Sequence, residues 1–502
     1  MKASFWFITG TFLGALFSLA IPPAAKADPT VYVSFWFDTE DYILPQADDA
    51  AKRLAEMFTK RGVQGTFKIV GEKARVLEER GRDDVILALS KNDIAYHSTW
   101  HSAHPTPSEY SRDLSWQEGV SEFVRREGVG LETVRRIFGV NGSCYGQPGG
   151  SWTPQSYAAL RAFGIPLYLD VTSHVNLNDR PFWYCGVLNI LEMGDCVMRT
   201  GWSDQEVKQA RAKFDRVSQK LAQEGGGIIS IFYHPCEFVH RQFWDGVNFS
   251  YGANPPRSQW KLPPVKSPEE QEQAFKAFET FLDYIAHHAG VRLVTAREIP
   301  ALYPDRAYSS PLTQKDVHAI AEALQKRLSY VDLGTRTVSA GEGLLALSQF
   351  AARSEGESRP DQIELEFAYG PASAPPQARR AAVRPVLRES SFRWEAIRQA
   401  AQELIDTIHQ TKQLPTVVWV AGQPLRPEDF AVTLAAVVAS DRYAGDVPLR
   451  HGELEAKKFV ANDSPGLWGW VIFPKDFNAP HMMELAKLQA WTIKPAVLRK
   501  TN

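Results

Sequence analysis

The chain lacks an excess of either charge. Fifty-six Lys and Arg stand against 58 Asp and Glu, for a net charge of −2 over 502 residues. The basic footprint of a nucleic-acid binder is therefore missing, and no nucleic-acid partner is expected. After its N-terminal segment the chain has no long apolar run, so no integral membrane segment is expected beyond that point. Cysteine is sparse, with four in all, and none carries a signature of a nucleophilic Cys–His site. No internal repeat stands out. What the chain does have is 44% hydrophobic and 11% aromatic residues, 14 Trp among them. That composition excludes wholesale disorder and a collagen-like structure. With ordinary domains of about 100–200 residues, this length implies more than one of them.

Residues 1–27 read as an export signal. Lys2 supplies the positive start, Phe5 to Ile21 is mostly apolar, and Ala25-Lys26-Ala27 offers a small-x-small cleavage site before Asp28. Thr9, Thr11 and Ser18 interrupt the apolar run, which speaks against an uncleaved anchor. The expected location is the periplasm, the cell envelope or the medium, where disulfides persist. Cys144, Cys185, Cys196 and Cys236 permit three pairings. Cys185 and Cys196 flank the apolar run Val187 to Met193, and Cys144 and Cys236 lie beside the motifs below. Either pair is a candidate disulfide, with buried free thiols as the alternative.

From Val31 to about Tyr303, short apolar runs alternate with helical periodicity. Val31 to Phe37, Gly65 to Val70, Asp93 to His97, Pro166 to Asp170 and Gly227 to Tyr233 read as strands. Between them Tyr157 to Phe163, Gln205 to Leu221 and Glu269 to His288 carry helical patterns. This alternation predicts an α/β fold with a mostly parallel sheet or barrel, whose chemistry sits at the C-terminal ends of strands. The composition changes near Asp305, so residues 28–305 are read as one domain and 306–502 as a smaller α-rich accessory domain.

Three strand ends hold unusual residues. Asp38-Thr39-Glu40-Asp41 packs three carboxylates into four positions, which repel unless a cation or a shared proton relieves them. His97-Ser98-Thr99-Trp100-His101 places two imidazoles four apart, on one side of a helical turn, a spacing that lets both bind one ion. Tyr233-His234-Pro235-Cys236-Glu237 follows a strongly apolar strand. Two His and a carboxylate with an open position make a catalytic zinc set, leaving another carboxylate and another His free as base and acid. Trp100, Trp152, Trp202, Phe243 and Trp244 lie beside these motifs and suit either sugar faces or the core.

In these motifs the chain resembles the polysaccharide deacetylase family, the NodB-homology or carbohydrate esterase family 4 group, over residues 31–294. His97-Ser98-Thr99-Trp100-His101 matches its H-[ST]-x-x-H element, Ile231 to Pro235 its strand-then-His-Pro element, and Asp38-Thr39-Glu40 a D-x-E variant of its acidic element. The resemblance implies a distorted (β/α) barrel of the NodB type and metal-dependent removal of N- or O-acetyl groups from a glycan. It implies one divalent ion, with zinc expected, held by His97, His101 and either Glu40 or Asp41. Asp38 is the implied base and His234 the implied acid. Tyr145 to Trp152 lies where the family carries an Arg-x-Pro-Gly loop, making Pro148, Gly149 and Trp152 the candidate substrate contacts. Gly146 stands where the family has the Arg that orients the base. Another cation then substitutes, or activity is altered or lost. Residues 391–438 more weakly resemble a pseudomurein-binding repeat, which points to a cell-wall polymer as the acetylated partner. Two further readings stand beside the deacetylase: a degenerate barrel that binds glycan without catalysis, and a hydrolase of small amides.

Overall fold

The computed structural model describes residues 30–354, 358–374 and 390–499; the segment 1–27 expected to be an export signal lies outside them. The core is a curved sheet of mainly parallel strands wrapped by helices. Its strands are β1 (Val31–Thr39), β2 (Thr66–Ile69), β3 (Asp93–Tyr96), β4 (Leu167–Leu169), β5 (Phe182–Tyr184), β6 (Val187–Ile190), β7 (Val197–Met198), β8 (Gly227–Tyr233) and β9 (Val291–Leu293). β1 runs parallel to β2, β8 and β9. β2 pairs with β3, and single bridges through Tyr145 carry the sheet from Tyr96 to Tyr168 and so to β4 and β6. This α/β arrangement is consistent with a distorted barrel. β5 and β6 form an antiparallel hairpin within the otherwise mostly parallel sheet.

Both faces of β1 are buried, which explains its unbroken apolar run. Val33, Phe35 and Phe37 face the helix layer; Tyr32 and Trp36 belong to a separate inner cluster with Ala95, Leu167, Leu169 and Ile228. Trp36 Nε1 donates to Ser230 Oγ at 2.8 Å, forming a polar tie across that interior.

Beyond residue 311 the structure contains a repetition that the sequence conceals. Strand Leu312–Thr313, helix Gln314–Leu324, hairpin Val331–Asp332 with Thr337–Val338, and helix Ala340–Arg353 are followed by strand Gln362–Ile363. The same order recurs as Ser391–Arg393, Trp394–Thr411, Val418–Val420 with Gln423–Leu425, Pro427–Ser440 and Asp446–Pro448. In each copy the first strand pairs antiparallel with the last. The first helix of each copy packs on the second helix of the other.

After Leu454 the chain returns to the sheet. Val460 bridges Val175, Ala461 N–H donates to the His174 carbonyl at 2.9 Å, and Lys494–Pro495 adds an antiparallel strand beside β5. All four cysteines are free thiols, so neither candidate disulfide forms. The Cys185 thiol faces Gln489 and Thr492 of the returning segment, while Cys144 lies in the inner cluster. No helix among the described residues is long and apolar enough to cross a membrane.

Candidate metal centre and its cavity

Strand alternation decides which acidic residue goes where. Continuing the two-residue period of β1 puts Asp38 and Glu40 on the inner side and Asp41 on the other. Asp41 accordingly turns away. Its Oδ1 accepts the backbone N–H groups of Ile43 and Leu44, and its Oδ2 accepts from His240 Nε2 at 2.8 Å. Of the two carboxylates offered as metal ligand, Asp41 is therefore an anchor for the following loop, and Glu40 is the one beside the histidines.

His97 and His101 converge without a helical turn. Ser98 and His101 both have positive φ, 66° and 54°, and the His101 N–H donates to Ser98 Oγ at 3.0 Å. This bend brings the two rings to 5.0 Å between centroids. Ligand atoms of Glu40, His97 and His101, all buried, lie within 4.8 Å of one another. His97 Nε2 is 3.3 Å and His101 Nε2 2.8 Å from Glu40 Oε2. His97 Nδ1 bonds the Gly146 carbonyl at 3.0 Å, and His101 Nδ1 bonds Ser102 Oγ at 2.6 Å, whose hydroxyl reaches Asp245 Oδ2. Each imidazole thus uses Nδ1 outward and turns Nε2 inward, the orientation that metal-bound histidines require. Trp244 Nε1 donates to Glu40 Oε1 at 2.8 Å, leaving Oε2 to face the histidines.

A divalent ion fits this set. His101 Nε2 is buried and has no hydrogen-bond partner despite its closeness to Glu40. Two nitrogens and one carboxylate oxygen around an open side make a donor set of the kind that binds zinc. Burial opposes charge on Glu40, but His101 and His234 outweigh it and hold the carboxyl well below its ordinary range. Burial likewise opposes charge on His101, and Glu40 outweighs it to push that imidazole up. A proton and a metal ion consequently compete for one position.

A second cluster, Asp38, His97 and Asp170, also meets the spacing for an ion. Here a lysine intervenes. Lys68, the register partner of Asp38 on β2, is fully buried, with Nζ 2.7 Å from Asp38 Oδ1 and 3.0 Å from Asp170 Oδ2. Burial works against its proton, yet Asp170 and Asp38 hold its pKa above the ordinary lysine value. His234 follows β8 in the inner phase, with Nε2 3.6 Å from Asp38 Oδ2 and Nδ1 2.5 Å from Glu237 Oε1. Burial opposes its charge, but Glu237, Glu40 and Asp38 push it up to about 9.

Asp38, Glu40, His97, His101, Asp170 and His234 line a cavity of about 280 Å³ together with Gln147, Gly149, Phe232, Phe243 and Trp470. Of the proposed substrate contacts, Gly149 is on the wall. Pro148 is buried, and Trp152 is in the core, stacked on His174 and donating to the Tyr157 hydroxyl. The preceding glycine loop turns that indole inward. Trp244 is buried as a ligand anchor, Trp202 packs on Phe238, and Trp100 stands 48% exposed over a neighbouring groove. Phe243 alone of those aromatics reaches the cavity.

Sequence reasoning missed Trp470, Lys68, Asp170 and Gln147. Trp470 is more than two hundred residues from His234 in the chain, and only folding brings it over Phe243 with Nε1 2.7 Å from Asp245 Oδ2. Lys68 did leave a signal: a lysine on the inner phase of an apolar strand needs a buried anion. Gln147 lines the cavity with neither amide atom bonded to protein.

No protein-family model matches the chain, and no curated protein matches it. Among solved structures, one described as a polysaccharide deacetylase from Mycobacterium smegmatis aligns with 56% of this chain and 92% of its own, at 13% identity and a TM-score of 0.37. Another so described, from Pseudomonas aeruginosa PAO1, aligns with 55% and 93% at 14% identity and a TM-score of 0.36. A 4-alpha-glucanotransferase from Thermococcus litoralis aligns with 59% and 46% at 11% identity and a TM-score of 0.38. All three alignments have identities of 14% or less and TM-scores of 0.38 or less, and none of them assigns the chain to a family.

Proposed function

We propose that this chain is an exported, metal-dependent hydrolase that removes acetyl groups from a glycan, with zinc as its ion. The observation that carries the reading is the convergence of Glu40, His97 and His101 with Asp38 and His234 on one cavity. Glu40, His97 and His101 would hold the divalent ion, whose chemistry would be to polarise the acetyl carbonyl and acidify a nearby water. Asp38 takes the proton of the attacking water. His234, held by Glu237, gives a proton to the departing amine or alcohol. Gln147 and Gly149 orient the sugar, and Phe232, Phe243 and Trp470 offer apolar surfaces to its C–H faces. The duplicated unit within residues 306–454 serves as the accessory region, a cell-wall polymer being the partner in view, while the returning segment brings Trp470 to the cavity.

Metal content of the purified mature chain, wild type beside His101→Ala, tests the first step. About one zinc per chain, lost in the variant, is the expected result. Acetate release is then measured on chitooligosaccharide, peptidoglycan and acetylated xylan, with Asp38→Asn as control. A wild type that binds no zinc when offered it sinks the mechanism and leaves glycan binding without catalysis. One observation favours a second reading. The wall built by Trp470 limits the cavity to about 280 Å³, a size that also suits a small amide.

A further inference from the structure

We propose that Lys68 is the positioning residue for the Asp38 carboxylate, and that residue 146 is glycine because a β-carbon there occupies the ammonium's place. The inference rests on the reading of Asp38 as base. Three oxygens surround Lys68 Nζ: Asp38 Oδ1 at 2.7 Å, Leu169 O at 2.9 Å and Asp170 Oδ2 at 3.0 Å. The fourth side is the face of Trp36, 4.0 Å from Nζ to the ring centroid. Such a cage holds the cation in one spot.

That spot has a consequence for Asp38. With Oδ1 tied to Lys68, Oδ2 is the oxygen turned toward His234, 3.6 Å away. The Lys68 ion pair therefore draws one oxygen of the base aside and leaves the other to meet the reacting water. Proximity of this kind is what an oriented general base contributes.

The glycine follows from the same geometry. A β-carbon on Gly146 lies 2.1 Å from Lys68 Nζ, 2.4 Å from Asp170 Oδ2 and 3.0 Å from the Leu169 carbonyl. A β-carbon at 146 therefore forces the Lys68 ammonium and the Asp170 carboxylate out of the places they hold. The cation that the loop does not carry arrives instead from the neighbouring strand, at the position in register with Asp38. The backbone of Gly146 has a role of its own, since its carbonyl accepts from His97 Nδ1; the β-carbon, not the carbonyl, is what the site forbids.

The test is a cycle of four full-length proteins: wild type, Lys68→Met, Gly146→Ala and the double variant. Each is assayed for zinc content, melting temperature, and kcat and KM for acetate release from N-acetyl chitooligosaccharide and from 4-nitrophenyl acetate. Gly146→Ala is expected to lower kcat by about 100-fold while Lys68 is still present. Its KM and zinc content should stay within about twofold of wild type. Lys68→Met is expected to show the same split, and the double variant to be no slower than the slower single. In melting temperature, Gly146→Ala should cost less in the Lys68→Met background than in wild type. A Gly146→Ala enzyme with unchanged kcat overturns the proposal, as do single effects that multiply in the double variant. If Lys68→Met does not fold, Gly146→Ala alone decides on the same criterion. If the wild type hydrolyses neither probe, the deacetylase reading falls, and the melting-temperature cycle still decides whether positions 68 and 146 share one slot: additive shifts overturn it.

Discussion

Trp244 directs its indole N–H at Glu40 Oε1, and that contact chooses which carboxylate oxygen faces His97 and His101. Trp244→Phe keeps the ring and deletes the hydrogen bond. Zinc affinity should fall by about 10- to 100-fold with the fold intact, as for other groups that orient metal ligands; competition with a chromophoric chelator reads it. A second residue acts on stability. His174 is buried beside Trp152 and Trp468, bonded to Thr172 Oγ1, and burial lowers its pKa to about 3. An unfolded chain protonates this histidine near pH 6.5, whereas the folded chain keeps it neutral. Its contribution is thus complete above about pH 6.5 and is lost as the pH falls towards 3, amounting to roughly 2 kcal/mol by about pH 5. Denaturant melts of wild type and His174→Gln from pH 7 to 5 should show the variant losing less stability than wild type. Parallel losses sink this assignment.

At the scale of elements, the two-residue period of β1 separates Glu40 from Asp41, and the separation can be measured. Glu40→Gln should abolish stoichiometric zinc binding. Asp41→Asn should keep the zinc and instead cost about 1–2 kcal/mol of stability, since only the loop anchor to Ile43, Leu44 and His240 weakens. Zinc analysis beside denaturant melts distinguishes them. Much of this was legible in the sequence, because strands such as Gly227 to Tyr233 are buried on both faces and announce themselves as apolar runs. The histidine pair was legible as a pair, but not its conformation: positive φ at Ser98 and His101 leaves no trace in side-chain periodicity. Asp38 and Glu40 could be told from Asp41 only by continuing the strand's alternation past its end. Trp152 misled because an aromatic after a glycine loop looks the same whether it points outward or, as here, onto His174. The duplicated unit in 312–448 stayed hidden since helices and hairpins repeat in order while their residues do not.

The whole molecule joins its ends at the site. Trp470 reaches the cavity from the returning segment and donates to Asp245, which is linked through Ser102 to His101. Trp470→Ala should therefore raise KM for a compact acetylated substrate by about tenfold, and weaken the same variant's zinc affinity only modestly. Longer substrates should suffer less than short ones as the wall opens. Steady-state kinetics on a mono-, di- and tetrasaccharide series checks this; an equal penalty at every length argues against a wall.

The segment that brings Trp470 home also ends the sheet, with Lys494–Pro495 as the strand beside β5. Ribosomes deliver chains from the N-terminus, so the metal ligands exist long before their wall does. A chain cut short ahead of Val460 would keep Glu40, His97 and His101 but lose both the strand beside β5 and the wall that Trp470 builds.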